Sequence, residues 1–181
     1  MESETSPTPD LTGPTITRDG KDWRVCMSQW LPLPPDALFT FFGDAHNLEK
    51  VTPALLNFHV VTPKPIDMKT GTLIDYKLKV RSVPMRWRTK IESWNPPHSF
   101  IDTQLRGPYK LWHHTHTFTP ERDGTRCDDV VRYRPPGGPL APLINKLAVQ
   151  RDVLAIFKYR AQWLNENFAA PLAGARPDAL S

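Results

Sequence analysis

The run His114-Thr115-His116 sets two imidazoles two residues apart. In an extended strand that spacing points both to one face. An imidazole beside a carboxylate titrates near neutrality and suits acid–base work. Asp102, Gln104, Arg106, Asp129 and Tyr133 lie on runs that read as neighbouring strands. Asp102, His114, His116 and Tyr133 are therefore candidate catalytic residues for cyclisation with dehydration, or for hydrolysis. The same groups suit a simpler task, orienting a bound molecule or satisfying one another. No nucleophile with an ordered triad accompanies them, which weights the reading toward a binding module over an enzyme. Two imidazoles and Asp129 also begin a transition-metal set. No second ligand motif completes it, so neither a metal nor another cofactor is expected.

The elements that must position these groups follow from hydrophobic period and turn residues. Trp23–Leu31 reads as a strand, closed by Pro34 and Pro35. Two short helices follow, one over 37–42 after the first-turn proline and one over about 44–51, stopped by Pro53. Six runs at hairpin spacing come next: 56–62, 72–82, 85–94, 99–106, 111–119 and 125–134. A long helix over 140–168 ends the folded part, with Leu143, Leu147, Leu154, Phe157, Ala161, Leu164 and Phe168 as an apolar stripe interrupted by Gln150. The fold class is thus α+β: a curved antiparallel sheet of about seven strands wrapped around a C-terminal helix. Residues 1–20 and 170–181, rich in small residues and proline, read as disordered arms flanking one domain over 21–169.

Hairpin arithmetic carries one face from strand to strand. A turn at Val83-Pro84 sets Tyr76 opposite Ile91, Leu78 opposite Thr89 and Val80 opposite Trp87. A turn over Asn95–His98 sets Trp94 opposite Ser99, Ile91 opposite Asp102 and Thr89 opposite Gln104. A turn at Asp123-Gly124 sets Phe118 opposite Asp129, His116 opposite Val131 and His114 opposite Tyr133. A bulge near Gly107 keeps Trp112 and Phe118 inside. The predicted inner surface is an apolar wall with a polar cluster at one end. Its candidate ligand-binding residues are Tyr76, Leu78, Trp87, Thr89, Asp102, Gln104, Arg106, Trp112, His114, His116, Phe118, Asp129 and Tyr133. Gln150, Leu154 and Phe157 join them from the helix.

Composition narrows the class. The chain has 181 residues, 39% hydrophobic and 23% charged, the profile of a globular domain. No apolar run approaches the roughly 20 residues that span a bilayer. Residues 1–10 lack the apolar core of a secretory signal. Two distant cysteines, Cys26 and Cys127, suit a reducing compartment, and the location expected is cytoplasmic. The net charge is +4, and the outer face carries the basic residues Lys77, Lys79, Arg81, Arg86, Arg88 and Lys90. Without interleaved aromatics that face does not suit nucleic acid, and peripheral contact with an anionic membrane is the alternative to plain solvation.

Several runs carry a family resemblance: Pro34–Phe39, Asn47-Leu48 to Thr52-Pro53, Gly71 to Tyr76, Trp94–Pro97, Phe100–Tyr109, Trp112–Phe118, Asp129–Tyr133 and Ile156–Arg160. Together they resemble the START-like helix-grip superfamily (SRPBCC), which includes polyketide cyclase/dehydrases, Bet v 1-type proteins and coenzyme-Q-binding START proteins. The resemblance implies the helix-grip fold and an internal cavity for a hydrophobic or amphipathic molecule such as a lipid, quinone or polyketide. It also implies two rivals: a cyclase or dehydratase using the pocket cluster, and an accessory domain whose protein partner is a sugar-nucleotide epimerase.

Overall fold

The computed structural model describes residues 11–169. Eight strands form one antiparallel sheet: β1 (Leu11–Asp19), β2 (Asp22–Leu31), β3 (His59–Val60), β4 (Leu73–Val80), β5 (Val83–Asn95), β6 (Ser99–Arg106), β7 (Leu111–Glu121) and β8 (Gly124–Arg134). Their order is β1-β2-β8-β7-β6-β5-β4-β3. Between β2 and β3 lie α1 (Pro35–Gly43) and two 3-10 turns, Ala45–Glu49 and Ala54–Leu56. Pro34 and Pro35 end β2 and open α1, where a missing N–H costs nothing. After β8 the segments Ala141–Ile144, Asn145–Val149, Gln150–Leu164 and Asn165–Ala169 run on in helical backbone as one helix, α2. The expected helix-grip architecture, sheet around C-terminal helix, is present.

Its core has two main parts. Trp23, Val25, Met27, Val131 and Tyr133 of β2 and β8 bury Val153, Phe157 and Ala161 of α2. Leu31, Phe100, Phe118 and Cys127 pack with Leu38 and Phe39 of α1 and with Leu164. Burying side chains of this size contributes about 1.5–3 kcal/mol each.

The structure corrects several expectations. Residues 11–19 are not a disordered arm: they pair with β2 along an edge, and Ile16 packs on the core. Residues 1–10 and 170–181 lie outside the described residues. Of the expected strand 56–62 only His59–Val60 pairs, because Leu56 closes a 3-10 turn and Asn57 adopts positive φ. On α2 the buried face is Ala141, Asn145, Val153, Phe157, Arg160, Ala161 and Leu164, with Val149 half-buried in line with it, while Leu143 and Leu147 are exposed and Leu154 is half-buried. The π turn at Asn145–Val149 supplies the reason. Its wider turn holds a strict four-residue step in line, where a uniform 3.6 period drifts away. Trp30 is buried, with its Nε1 donating to Glu121 O at 3.0 Å.

Two hairpins turn earlier than expected. Arg81 and Ser82, both at positive φ, form the β4–β5 turn, and Arg122 at φ 58 forms the β7–β8 turn with Asp123. Each moves the register by an even number, so the inward-facing residues stay inward and only their opposite numbers change. Tyr76 faces Trp87, and His116 faces Asp129 rather than Val131. The β5–β6 turn pairs Trp94 with Phe100 instead of Ser99, and a bulge between Ile91 and Ser93 then restores the expected Ile91–Asp102 and Thr89–Gln104 pairs.

Candidate functional site

Strands β4 to β7 present Ile74, Tyr76, Trp87, Thr89, Ile91, Phe100, Asp102, His114 and His116 to a cavity of about 110 Å³. Phe41, Phe42, Ala45, Asn47 and Leu48 from α1 and the turn after it cover one side, with Phe58 and Met68. Arg160 of α2 enters from the other side. The wall is mostly aliphatic and aromatic, and its polar atoms gather at the β6–β7 end.

Strand alternation builds that polar end. His114 and His116 occupy successive inward positions of β7. Asp102 on β6 stands across from His114, and Asp129 on β8 stands across from His116. His114 Nε2 is 3.1 Å from Asp129 Oδ1, and His116 Nε2 is 3.1 Å from Asp102 Oδ2. His116 Nδ1 is 2.7 Å from Asp129 Oδ1, a charge contact off the line of a hydrogen bond. Arg160 Nη1 donates to Asp129 Oδ2 at 3.3 Å, while the buried Nε of Arg160 has no hydrogen-bond partner. The His116 ring also stacks on Phe100, centroids 4.1 Å apart.

The four titrating groups settle one another. Burial pushes His114 down to about 4, aided by the neighbouring charge of His116, so its ring is neutral. Burial also works against a charged His116, but Asp129 and Asp102 outweigh it and raise its pKa. Burial works against ionised Asp102, yet His116, His114 and Arg160 hold it below its ordinary value. Asp129 lies well below, because His116 and Arg160 overcome its burial. Two carboxylates, one imidazolium and one guanidinium balance, which is how a charged cluster survives inside the domain.

Of the sequence candidates, Tyr76, Trp87, Thr89, Asp102, His114 and His116 line the cavity. Asp129 lies behind the histidines as their partner. Gln104 is spent elsewhere: its amide donates to Tyr109 O at 2.7 Å and accepts from Tyr109 N at 3.3 Å, clamping the β6–β7 connection. Tyr133 OH donates to Asn145 Oδ1 at 3.0 Å, tying β8 to α2 and removing the phenol from the candidate catalytic set. Leu78, Trp112, Phe118 and Phe157 pack away from the cavity, Arg106 is exposed, and Gln150 and Leu154 are half-buried outside it.

Arg160 is the functional group that the sequence reading missed. It falls three residues after Phe157 and four before Leu164, so it sits on the buried stripe, where a charge is a signal in itself. The covering residues Phe41, Phe42 and Leu48 carried no such mark.

Known proteins share this architecture. The family model for polyketide cyclase/dehydrase and lipid transport matches residues 31–156. Among solved structures, protein Ms6760 from Mycobacterium smegmatis is similar, at 18% identity, TM-score 0.61, and 87% coverage of this chain against 99% of that one. TTHA0849 from Thermus thermophilus is similar at 21% identity and TM-score 0.59, covering 80% and 98%. Ara h 8.0201 is similar at 15% identity and TM-score 0.55, again covering 80% and 98%. At these identities the likeness is one of fold. No curated protein matched in sequence. Among the described residues no helix is long and apolar enough to cross a membrane.

Proposed function

Because the chain belongs to the polyketide cyclase/dehydrase and lipid transport family, a branch of the START-like helix-grip superfamily, we propose that it binds a small amphipathic molecule in the cavity between sheet and α2. One observation carries this reading: an apolar wall and a single polar cluster face the same internal space. Apolar contact with Phe42, Phe58, Tyr76, Trp87 and Ile91 supplies affinity, and Asp102, His116 and Arg160 orient the polar end.

Volume constrains the occupant. A cavity of about 150 Å³ takes up benzene. At about 110 Å³ the cavity here is smaller, so a single ring or a headgroup of that size enters only as the covering residues give way. A quinone, lipid or fused-ring polyketide places its ring or headgroup at the polar end and displaces the covering residues Phe41–Leu48 with the remainder.

The test is native mass spectrometry of the purified full chain, with thermal melts against phenols, naphthols, anthraquinones, a short-chain quinone and a lysolipid. A saturable rise in melting temperature is expected for at least one class. Ala45→Phe, which fills the cavity, should abolish it. If no compound co-purifies or binds, or if Ala45→Phe binds as well as the parent, the cavity is not a ligand site.

A further inference from the structure

We propose that Asp102, His114 and His116 bind a divalent first-row transition-metal ion at the cavity wall, with Asp129 orienting both imidazoles. This goes beyond the binding of an organic molecule and reverses the expectation of no metal. That expectation rested on an incomplete ligand count, which the register of β6, β7 and β8 completes.

Each imidazole divides its two nitrogens between the two carboxylates. His114 Nε2 meets Asp129 at 3.1 Å, which leaves Nδ1 at 3.7 Å from Asp102 Oδ2. His116 Nδ1 meets Asp129 at 2.7 Å, which leaves Nε2 at 3.1 Å from the same Asp102 oxygen. One donor atom from each of Asp102, His114 and His116 lies within 4.8 Å of the other two. Bonds of about 2.1 Å in tetrahedral or octahedral geometry set ligand atoms about 3.0–3.4 Å apart, so small rotations close this set on an ion. Metal-bound imidazoles commonly give the other nitrogen to a carboxylate; Asp129 takes His114 Nε2 in a hydrogen bond and lies in charge contact with His116 Nδ1. Arg160 occupies the second oxygen of Asp129 and fixes it in that supporting place. Two nitrogens and one carboxylate suit iron(II), cobalt(II), nickel(II) or zinc(II). Three protein ligands leave coordination positions open, and all three residues line the cavity.

The test uses the full chain stripped with a chelator and titrated with cobalt(II) by visible absorption, then with zinc(II) by calorimetry, without any organic ligand. One equivalent per chain at micromolar or tighter affinity is expected. His116→Gln and Asp102→Asn should each weaken binding at least 100-fold. Asp129→Asn should weaken it about 10- to 100-fold with the stoichiometry kept. His113→Gln, on the outer face of the same strand, should change nothing. X-ray absorption of the zinc-loaded parent protein should show two imidazoles, a readout that does not depend on any variant folding. Binding below one equivalent, folded variants that bind like the parent, or a spectrum without imidazoles would overturn the site. Because no organic molecule is present, such a failure is distinct from a failure of the cavity to take up ligands.

Discussion

Arg160 Nη1 reaches Asp129 Oδ2 at 3.3 Å, so a charge on α2 is fastened to a charge in the middle of the sheet. Both side chains are buried. Removing one member of a buried pair strands the other, at a cost of about 3–5 kcal/mol. Arg160→Met should lose about that much in urea unfolding. Arg160→Met combined with Asp129→Asn should lose less than the two single losses added, because the pair acts as a unit. A loss under about 1 kcal/mol for Arg160→Met would show that apolar contacts alone seat the helix.

Phe157 is 1% exposed and packs among Val131, Tyr133 and Val153. Phe157→Ala should cost about 3–5 kcal/mol, whereas Leu147→Ala, at an exposed site, should stay within about 0.5 kcal/mol. Equal effects in chemical denaturation would mean that the buried stripe of α2 is misassigned.

Gln104 and Gly107 form a second coupled pair. A Cβ at Gly107 would stand 2.2 Å from Gln104 Oε1, so Gly107→Ala evicts the amide that clamps Tyr109. Gln104→Ala and Gly107→Ala should each cost about 1–2 kcal/mol, and the double variant little more than either. Ligand uptake by the cavity should be unchanged in both. Weakened uptake in Gln104→Ala with an unchanged melt would return Gln104 to the binding site.

Asp22 binds Arg132 and Arg134 at the joint between β2 and β8. Burial works against its charge, but the hydrogen bonds and charges of Arg134 and Arg132 prevail and its pKa falls below 3.8. A depressed carboxylate stabilises fully above its unfolded value and loses that contribution as pH falls through its folded one. Asp22→Asn should therefore cost about 1–3 kcal/mol at pH 7, discounted because Arg132 is half exposed. The gap between parent and variant should hold down to about pH 5 and shrink below pH 4. A gap independent of pH would place the effect in packing rather than charge.

The sequence allowed the sheet, the gripping helix and the inward face of every strand from β4 to β8 to be read, because an even register error leaves a face unchanged. It did not reveal which residues meet. Turn placement at Arg81-Ser82 and Arg122-Asp123 needed positive φ at non-glycine residues, which local composition does not announce. The pairing of His116 with Asp129 depends on that placement. Gln104 was assigned correctly to a strand position and wrongly to a role, since its side chain turns back to the loop at Tyr109. Leu143 and Leu147 were misread because a π turn is invisible to a fixed period. Strand β1 was missed because Gly13 and Pro14 interrupt it, and indeed its pairing shifts between Thr12 and Thr15.

Strand β1 also determines how the chain can be shortened. Cutting at residue 20, where composition alone draws the boundary, would strip the partner from β2 along Trp23–Gln29. The open N–H and C=O groups of that strand would then be a template for a second molecule, with Ile16 no longer packed over the core beneath it. Strand β1 thus guards that edge against self-association, and a version lacking it should fail in solubility before it fails in folding.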